Sequence, residues 1–294
     1  MPVRLGTNPI AWSNDDLREL GGTTPLEICL HEARQAGFDG IEMGHKFPTK
    51  PDALRAALQP HGLALVSGWY SAQLLRRDAT AERAAIRPHL DLLKALGCQV
   101  LIIAETSNAT HGNRSVPLSR RPVLAEAGWR EFASRLTDLG KAVADHGLEL
   151  VYHHHMGTVV QTEAEIDRLM ETAGPSLHLL LDTGHATFAG ADPVALAHRW
   201  RERIRHVHCK DVRATEMRNA QQQDLSFLDA VVAGVFTVPG DGMIDFGAVL
   251  RELPGYDRWL VVEAEQDPDR ANPLHYARLG HANLHRFAVE AGLS

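Results

Sequence analysis

Short apolar runs closed by polar or glycine residues recur along the chain, and between them lie longer segments with the three-to-four-residue apolar period of amphipathic helices. The strand-like runs are Val3 to Asn8, Asp39 to Gly44, Leu63 to Gly68, Gln99 to Ala104, Leu148 to His153, Leu177 to Asp182, Ile204 to His208 and Trp259 to Glu265. Helical periodicity predicts Pro25 to Gln35, Pro51 to His61, Thr80 to Leu96, Ala125 to His146, Thr162 to Ala173, a helix opened by Asp192-Pro193, then Asp245 to Leu253 and Pro273 to Glu290. Gly37, Gly62, Gly97 and Gly147 stand where C-caps are wanted, and Thr162 with Glu165 forms a capping box. Eight strands alternating with eight helices demand a parallel sheet, and closure removes both of its edges, so the expected fold is α/β, a (β/α)8 TIM barrel. No Pro-, Gly- or Ser-rich linker divides residues 1–294, which reads as one domain.

Two segments break the rhythm. Thr106 to Pro122 has no apolar period and reads as a long loop at a strand's C-terminal end. Ala214 to Val238 is an insertion after the seventh strand, and its stretch Leu225 to Phe236 is apolar enough for a helix over the barrel mouth.

The last four strands end alike. His153-His154-His155, Asp182 with His185, His208 with Lys210, and Glu263 with Glu265 all fall at C-terminal strand ends, where barrel enzymes keep their chemistry. Side chains alternate along a strand, so each of the pairs His153 and His155, His208 and Lys210, and Glu263 and Glu265 shares a face. One member of each is free for a metal and one for a second role. His153, Asp182, His208 and Glu263 offer two imidazoles and two carboxylates, a set that suits Mn, Co, Fe or Zn better than Ca, with His155 the alternative to His153. Such an ion polarises a carbonyl and so eases removal of the neighbouring proton. Lys46, His155, His185, Lys210 and Glu265 are the candidates for proton transfer, although Lys46 and Lys210 read equally well as salt-bridge partners.

Charge and composition narrow this picture. A net charge of −7 with basic residues clustered only as the pairs Arg76-Arg77 and Arg120-Arg121 argues against nucleic acid. The three cysteines, Cys29, Cys98 and Cys209, are far apart and form no CxxC, which leaves neither a disulfide framework nor a zinc ribbon. No stretch approaches the roughly 20 apolar residues of a membrane span, and the N-terminus has no leader pattern, so a cytoplasmic protein is expected. GxxxxGK[ST], GxGxxG after a strand and GxSxG are all absent, and Gly240-Asp241-Gly242 reads as a tight turn rather than a phosphate loop. Homo-oligomerisation is compatible with the sequence.

Several stretches carry a resemblance: Asn8-Pro9-Ile10-Ala11-Trp12-Ser13-Asn14-Asp15-Asp16, Gly44-His45-Lys46-Phe47-Pro48, His153-His154-His155-Met156-Gly157-Thr158, Leu180-Leu181-Asp182-Thr183-Gly184-His185, His206-Val207-His208-Cys209-Lys210-Asp211, Phe236-Thr237-Val238-Pro239-Gly240-Asp241-Gly242 and Val262-Glu263-Ala264-Glu265-Gln266-Asp267. With them the chain resembles the inosose dehydratase (2-keto-myo-inositol dehydratase) family of the xylose-isomerase-like barrels. The resemblance implies removal of water from 2-keto-myo-inositol, a cyclic polyol ketone, in inositol catabolism, with Mn or Co as metal and glutathione as a further cofactor. It also implies polyol contacts, for which Trp12, Asn14, Asp15, Lys46 and Trp69 are the candidates. The wider superfamily places a Glu at the fifth strand end, and its isomerases and epimerases use paired glutamates. Here His153 stands in that place, which favours elimination over the alternative, a sugar or inosose isomerase or epimerase on the same barrel. A phosphodiesterase needs a basic groove that this chain lacks, and a non-catalytic polyol-binding barrel is separated from an enzyme only by turnover.

Overall fold

The computed structural model describes residues 3–293. Its strands and helices, in chain order, are β1 (Arg4–Thr7), α1 (Leu26–Ala36), β2 (Gly40–Met43), α2 (Pro51–Leu58), β3 (Ala64–Ala72), α3 (Ala79–Ala95), β4 (Val100–Glu105), α4 (Gly128–Asp145), β5 (Glu149–His153), α5 (Glu163–Thr172), β6 (Leu177–Asp182), α6 (Thr183–Phe188), α7 (Pro193–Trp200), β7 (Ile204–Cys209), β8 (Asp211–Val212), α8 (Ala214–Gln222), α9 (Phe227–Val232), β9 (Phe236–Thr237), α10 (Phe246–Arg251), β10 (Trp259–Val262) and α11 (Pro273–Glu290). Eight parallel strands close in the order β1-β10-β7-β6-β5-β4-β3-β2, the (β/α)8 barrel expected from the alternation. Among the described residues no helix is long and apolar enough to cross a membrane.

The strand period sorts side chains between two cores. Leu101 and Ile103 of β4, Leu150 and Tyr152 of β5, and Leu179 and Leu181 of β6 join the large cluster under the helices. Their alternates Val100, Ile102, Val151 and Leu180 pack together as a separate, smaller cluster. Val66, Trp259 and Val261 form another such cluster. Gly40 makes room for it: a Cβ there would lie 2.7 Å from both Trp259 Cη2 and Val66 Cγ2. The Arg4 guanidinium lies 4.1 Å from the Trp259 ring.

Differences from the sequence reading are local. β3 runs on through Trp69 to Ala72, paired with β4, so Trp69 lies within the barrel wall rather than after it. β10 ends at Val262, not Glu265; Glu263 makes one more backbone bond, to Cys209 O, and the chain then leaves the sheet. α6 is an added helix, started by the Asp182 carboxylate, which accepts the His185 N–H at 2.7 Å. The insertion folds as α8, α9 and β9, which pairs antiparallel with β8 just before the insertion, and the helix expected over Leu225 to Phe236 is limited to Phe227–Val232. The loop before α4 docks on this insertion through Leu118 N to Leu225 O, the Pro117–Ser226 bridge and Arg114 with Asp229.

Candidate active site at the barrel mouth

β5, β6, β7 and the residue after β10 bring His153, Asp182, His208 and Glu263 together, with one ligating atom from each within 4.8 Å of the others. His153 Nε2 lies 3.2 Å from His208 Nδ1 and 3.5 Å from Asp182 Oδ2, and His208 Nδ1 also contacts Glu263 Oε2. All four side chains are buried. Asp182 spends Oδ1 on the α6 cap, leaving Oδ2 with no hydrogen-bond donor, and Glu263 Oε2 meets only the His208 ring. Two converging, desolvated carboxylate oxygens beside two imidazole nitrogens make a place short of positive charge, as a divalent-ion site is. Burial works against a charged His208, yet Glu263 and Glu42 hold its pKa well above the ordinary histidine value. A proton on this ring and a divalent ion are alternative answers to the same carboxylates, because the ion takes the nitrogen lone pair that the proton would hold.

Glu42 of β2 was not among the residues singled out by the sequence. It accepts from Asn8 Nδ2 at 2.7 Å and Ser67 Oγ at 2.6 Å, and lies 2.8 Å from His206 Nε2 and 3.1 Å from His208 Nε2. His208 is thereby oriented with Nδ1 toward the four-group cluster, the carboxylate–histidine arrangement that supports metal ligands. Burial tends to raise the Glu42 pKa, but His208 and His206 hold it well below the usual carboxylate range.

One step further along the same strand ends lies a second cluster. Lys210, fully buried, donates to Glu265 Oε1 at 2.6 Å, sits 3.0 Å from His185 Nε2, and lies 3.2 Å from Glu263 Oε1 and 3.6 Å from Asp182 Oδ2. Burial alone would lower its pKa; Asp182, Glu263 and Glu265 raise it above the ordinary lysine value, so the ammonium stays charged. Burial and Lys210 push His185 well below the usual imidazole range, and burial with His185 does the same to His155, so both rings are neutral. His155 Nδ1 lies 2.7 Å from Met156 O; a neutral ring donates to that carbonyl and leaves Nε2 as an acceptor. The insertion roofs this cluster: Phe227 lies against His155 and His185, and Lys210 Nζ is 4.8 Å from the Phe236 ring centre. Gly184 fits because a Cβ would fall 2.5 Å from Lys210 Cγ.

A single pocket exposes both clusters. His153, His208 and Glu263 line it together with His155 and Glu265, and Trp69 forms part of the wall, its ring 5.4 Å from that of His153. Asp15 also lines it, with its carboxylate tied to His45 Nδ1 at 2.6 Å. Asp182, His185 and Lys210 lie behind the pocket lining but within the two clusters, whereas three expected site residues reach neither the pocket nor the clusters. Trp12 is buried in the helical core with its indole N–H on Glu32 at 2.7 Å. Asn14 is buried and accepts the backbone N–H groups of Asp16 and Leu17, shaping the loop rather than meeting a ligand. The Lys46 ammonium donates to Gly21 O, Gly22 O and Thr24 O at 2.6–2.9 Å, leaving no hydrogen for proton transfer in the mouth. Conversely, Asp16, His111 and Asn8 line the pocket and were missed. The Gly240-Asp241-Gly242 turn is closed to phosphate, since Asp211 Oδ2 accepts from the Gly240 and Gly242 N–H groups at 2.9 Å.

A closed parallel barrel with buried imidazoles and carboxylates gathered at its C-terminal strand ends defines the class of (β/α)8 enzymes that work around a cation. The family described as Xylose isomerase-like TIM barrel matches residues 30–284. The chain is 51% identical to the rhizopine catabolism protein MocC of Rhizobium meliloti over 99% of this chain and 90% of that one. It is 46% identical to an inosose dehydratase of Geobacillus thermodenitrificans and 43% to one of Clostridium tetani, over 94% of each chain in both comparisons. Among solved structures, the IOLI protein crystallised with a zinc atom superposes with TM-score 0.68 at 17% identity over 98% of both chains. The probable 3-DHS dehydratase AsbF of Bacillus anthracis does so with TM-score 0.68 at 16% identity, over 96% of this chain and 99% of that one. The chain belongs to the inosose dehydratase family of the xylose isomerase-like TIM barrels.

Proposed function

We propose that this protein removes water from 2-keto-myo-inositol (scyllo-inosose), giving a trihydroxycyclohexane-1,2-dione in myo-inositol catabolism. The observation that carries the reading is one pocket with two adjoining clusters, one demanding a cation and one containing its own, in a chain 46% identical to an inosose dehydratase. His153, Asp182, His208 and Glu263 would hold the divalent ion; their two-imidazole, two-carboxylate donor set suits Mn, Co, Fe or Zn, and the family resemblance implies Mn or Co among these. Bound there, the ion supplies Lewis-acid polarisation of the substrate carbonyl.

The remaining work falls to the chain's own groups. Elimination takes a proton from the carbon beside the ketone and expels the hydroxyl on the next carbon. His155 is the base: neutral, with its Nδ1 side committed to Met156 O and its other nitrogen free to accept the proton. Lys210 is not a base, because three carboxylates keep it protonated; it holds Glu265 and Glu263 in place. Glu265 keeps Oε2 unpartnered at the pocket wall, where it can take a substrate hydroxyl. His185 steadies the Lys210 ammonium through Nε2, and Trp69 presents an apolar face to the C–H side of the ring.

The test is turnover of chelator-stripped protein with 2-keto-myo-inositol, following the dione by ultraviolet absorbance with Mn, Co, Zn or no metal restored. Dione that returns only with metal is the expected result, and Mn or Co is expected to restore more than Zn. An isomerised or epimerised ketose without dione would sink the dehydratase reading. Glutathione, implied by the family resemblance, is assigned by running the same assay with and without it.

A further inference from the structure

Beside the base, the pocket wall carries a pair of groups to which the steps above give no part. Asp16, from the loop after β1, and His111, from the loop after β4, both line the pocket along with His155 and Glu265. His111 Nε2 is 3.7 Å from Asp16 Oδ1, and the His111 ring lies 5.0 Å from that of His155. Both are held from behind. The Asp16 and Leu17 N–H groups are fixed by the fully buried Asn14 Oδ1 at 2.8 and 2.7 Å, and Thr110 N donates to Gly157 O at 2.8 Å, which pins the chain just before His111. Elimination has an unmet need that a pocket carboxyl group outside both clusters can fill, because hydroxide is a poor leaving group at neutral pH and departs readily only as water.

We propose that Asp16 is the general acid that protonates the departing hydroxyl, with His111 positioning its carboxyl group. This rests on the dehydration reading given above. In the step, His155 takes the proton from the carbon beside the ketone and the C–H electron pair moves toward the ketone oxygen, giving an enolate that can take a proton back; as the ketone re-forms, that pair becomes the C=C bond of an enol. The C–O pair leaves with the hydroxyl oxygen, which receives the Asp16 proton and departs as water. The enol then ketonises to the dione, His155 releases its proton to solvent, and Asp16 takes one up, so no oxidant or reductant is called for. Burial raises the Asp16 pKa to about 6, against the opposing pull of His111 and Lys210 and with further lift from Glu265 and Asp15. That leaves a protonated fraction at neutral pH, which an ordinary aspartate lacks.

The experiment separates the two proton transfers. Metal-loaded Asp16→Asn, compared with wild type, is followed for dione formation, for deuterium uptake from D2O into recovered substrate at the carbon beside the ketone, and for fluoride release from an analogue carrying fluorine in place of the leaving hydroxyl. Fluoride departs without a proton. Dione formation from the natural substrate is expected to fall by about 10²–10⁴-fold, with deuterium uptake and fluoride release within about threefold of wild type. His111→Gln provides the second variant, with a smaller fall in kcat confined to the hydroxyl substrate. Asp16→Asn that keeps dione formation, or loses deuterium uptake and fluoride release together with it, overturns the assignment. A wild-type protein that forms no dione overturns the dehydration reading itself, and that result is read before either variant is made.

Discussion

Two clusters of histidine and carboxylate share the barrel mouth, built from the same strand ends two or three residues apart. His153, Asp182, His208 and Glu263 converge with one Asp182 oxygen lacking any hydrogen-bond donor and one Glu263 oxygen that meets only the His208 ring. His155, His185 and Glu265 are grouped as closely, but the Lys210 ammonium reaches in among them. Residue types and spacing are nearly the same in both. What differs is that the second cluster holds a lysine ammonium, while the first has only a titratable imidazole, His208, to balance its carboxylates, and that decides which cluster asks for an ion and which does proton chemistry.

The sharpest way to break this contrast is to remove a charge from the first cluster. Asp182→Asn is expected to abolish metal-dependent turnover, by about 10³-fold or more, since Lewis-acid polarisation is worth several kcal/mol; metal titration of the purified variant should show the matching loss of binding. Wild type should bind one equivalent of Mn in the same titration, and two would break the contrast outright. Lys210→Met leaves Asp182, Glu263 and Glu265 facing each other without a cation, and truncating one partner of a buried ion pair costs about 3–5 kcal/mol. Urea unfolding should report that loss, and a variant as stable as wild type would mean that the ammonium does not balance the second cluster. Glu42→Gln keeps the shape but weakens the hold on His208, so Mn affinity should drop by about 10–100-fold with little change in unfolding free energy. Gly184→Ala is the mildest: its methyl group meets the Lys210 chain, and overpacking of this kind costs about 1–3 kcal/mol, read as a lower melting temperature with metal binding kept.

Legibility followed periodicity. Strand alternation and strand-end position bring His153 or His155, Asp182, His208 and Glu263 to a common rim, because inward side chains at the ends of adjacent parallel strands must meet. Loops have no such period. In the loop after β1 the sequence singled out Trp12, Asn14 and Asp15, yet Trp12 and Asn14 turn into the protein and Asp16 reaches the pocket. Lys46 sits in a strand-end loop like the others, but three carbonyls between Gly21 and Thr24 capture it, a contact that no local pattern announces. Glu42 is one more strand-end acid in the sequence, and only the fold brings it within 2.8 Å of His206, 164 positions later.

By itself, the sequence determined the barrel and its chemically loaded rim, because hydrophobic period and strand-end position are properties of segments read one at a time. Tertiary structure alone decided which histidine joined which cluster, which carboxylate oxygens were left without donors, and which lysine was buried as a counter-ion and which was bound to carbonyls. Those outcomes depend on distances between segments far apart in the chain and on how deeply each charge is removed from water, and a linear pattern carries neither.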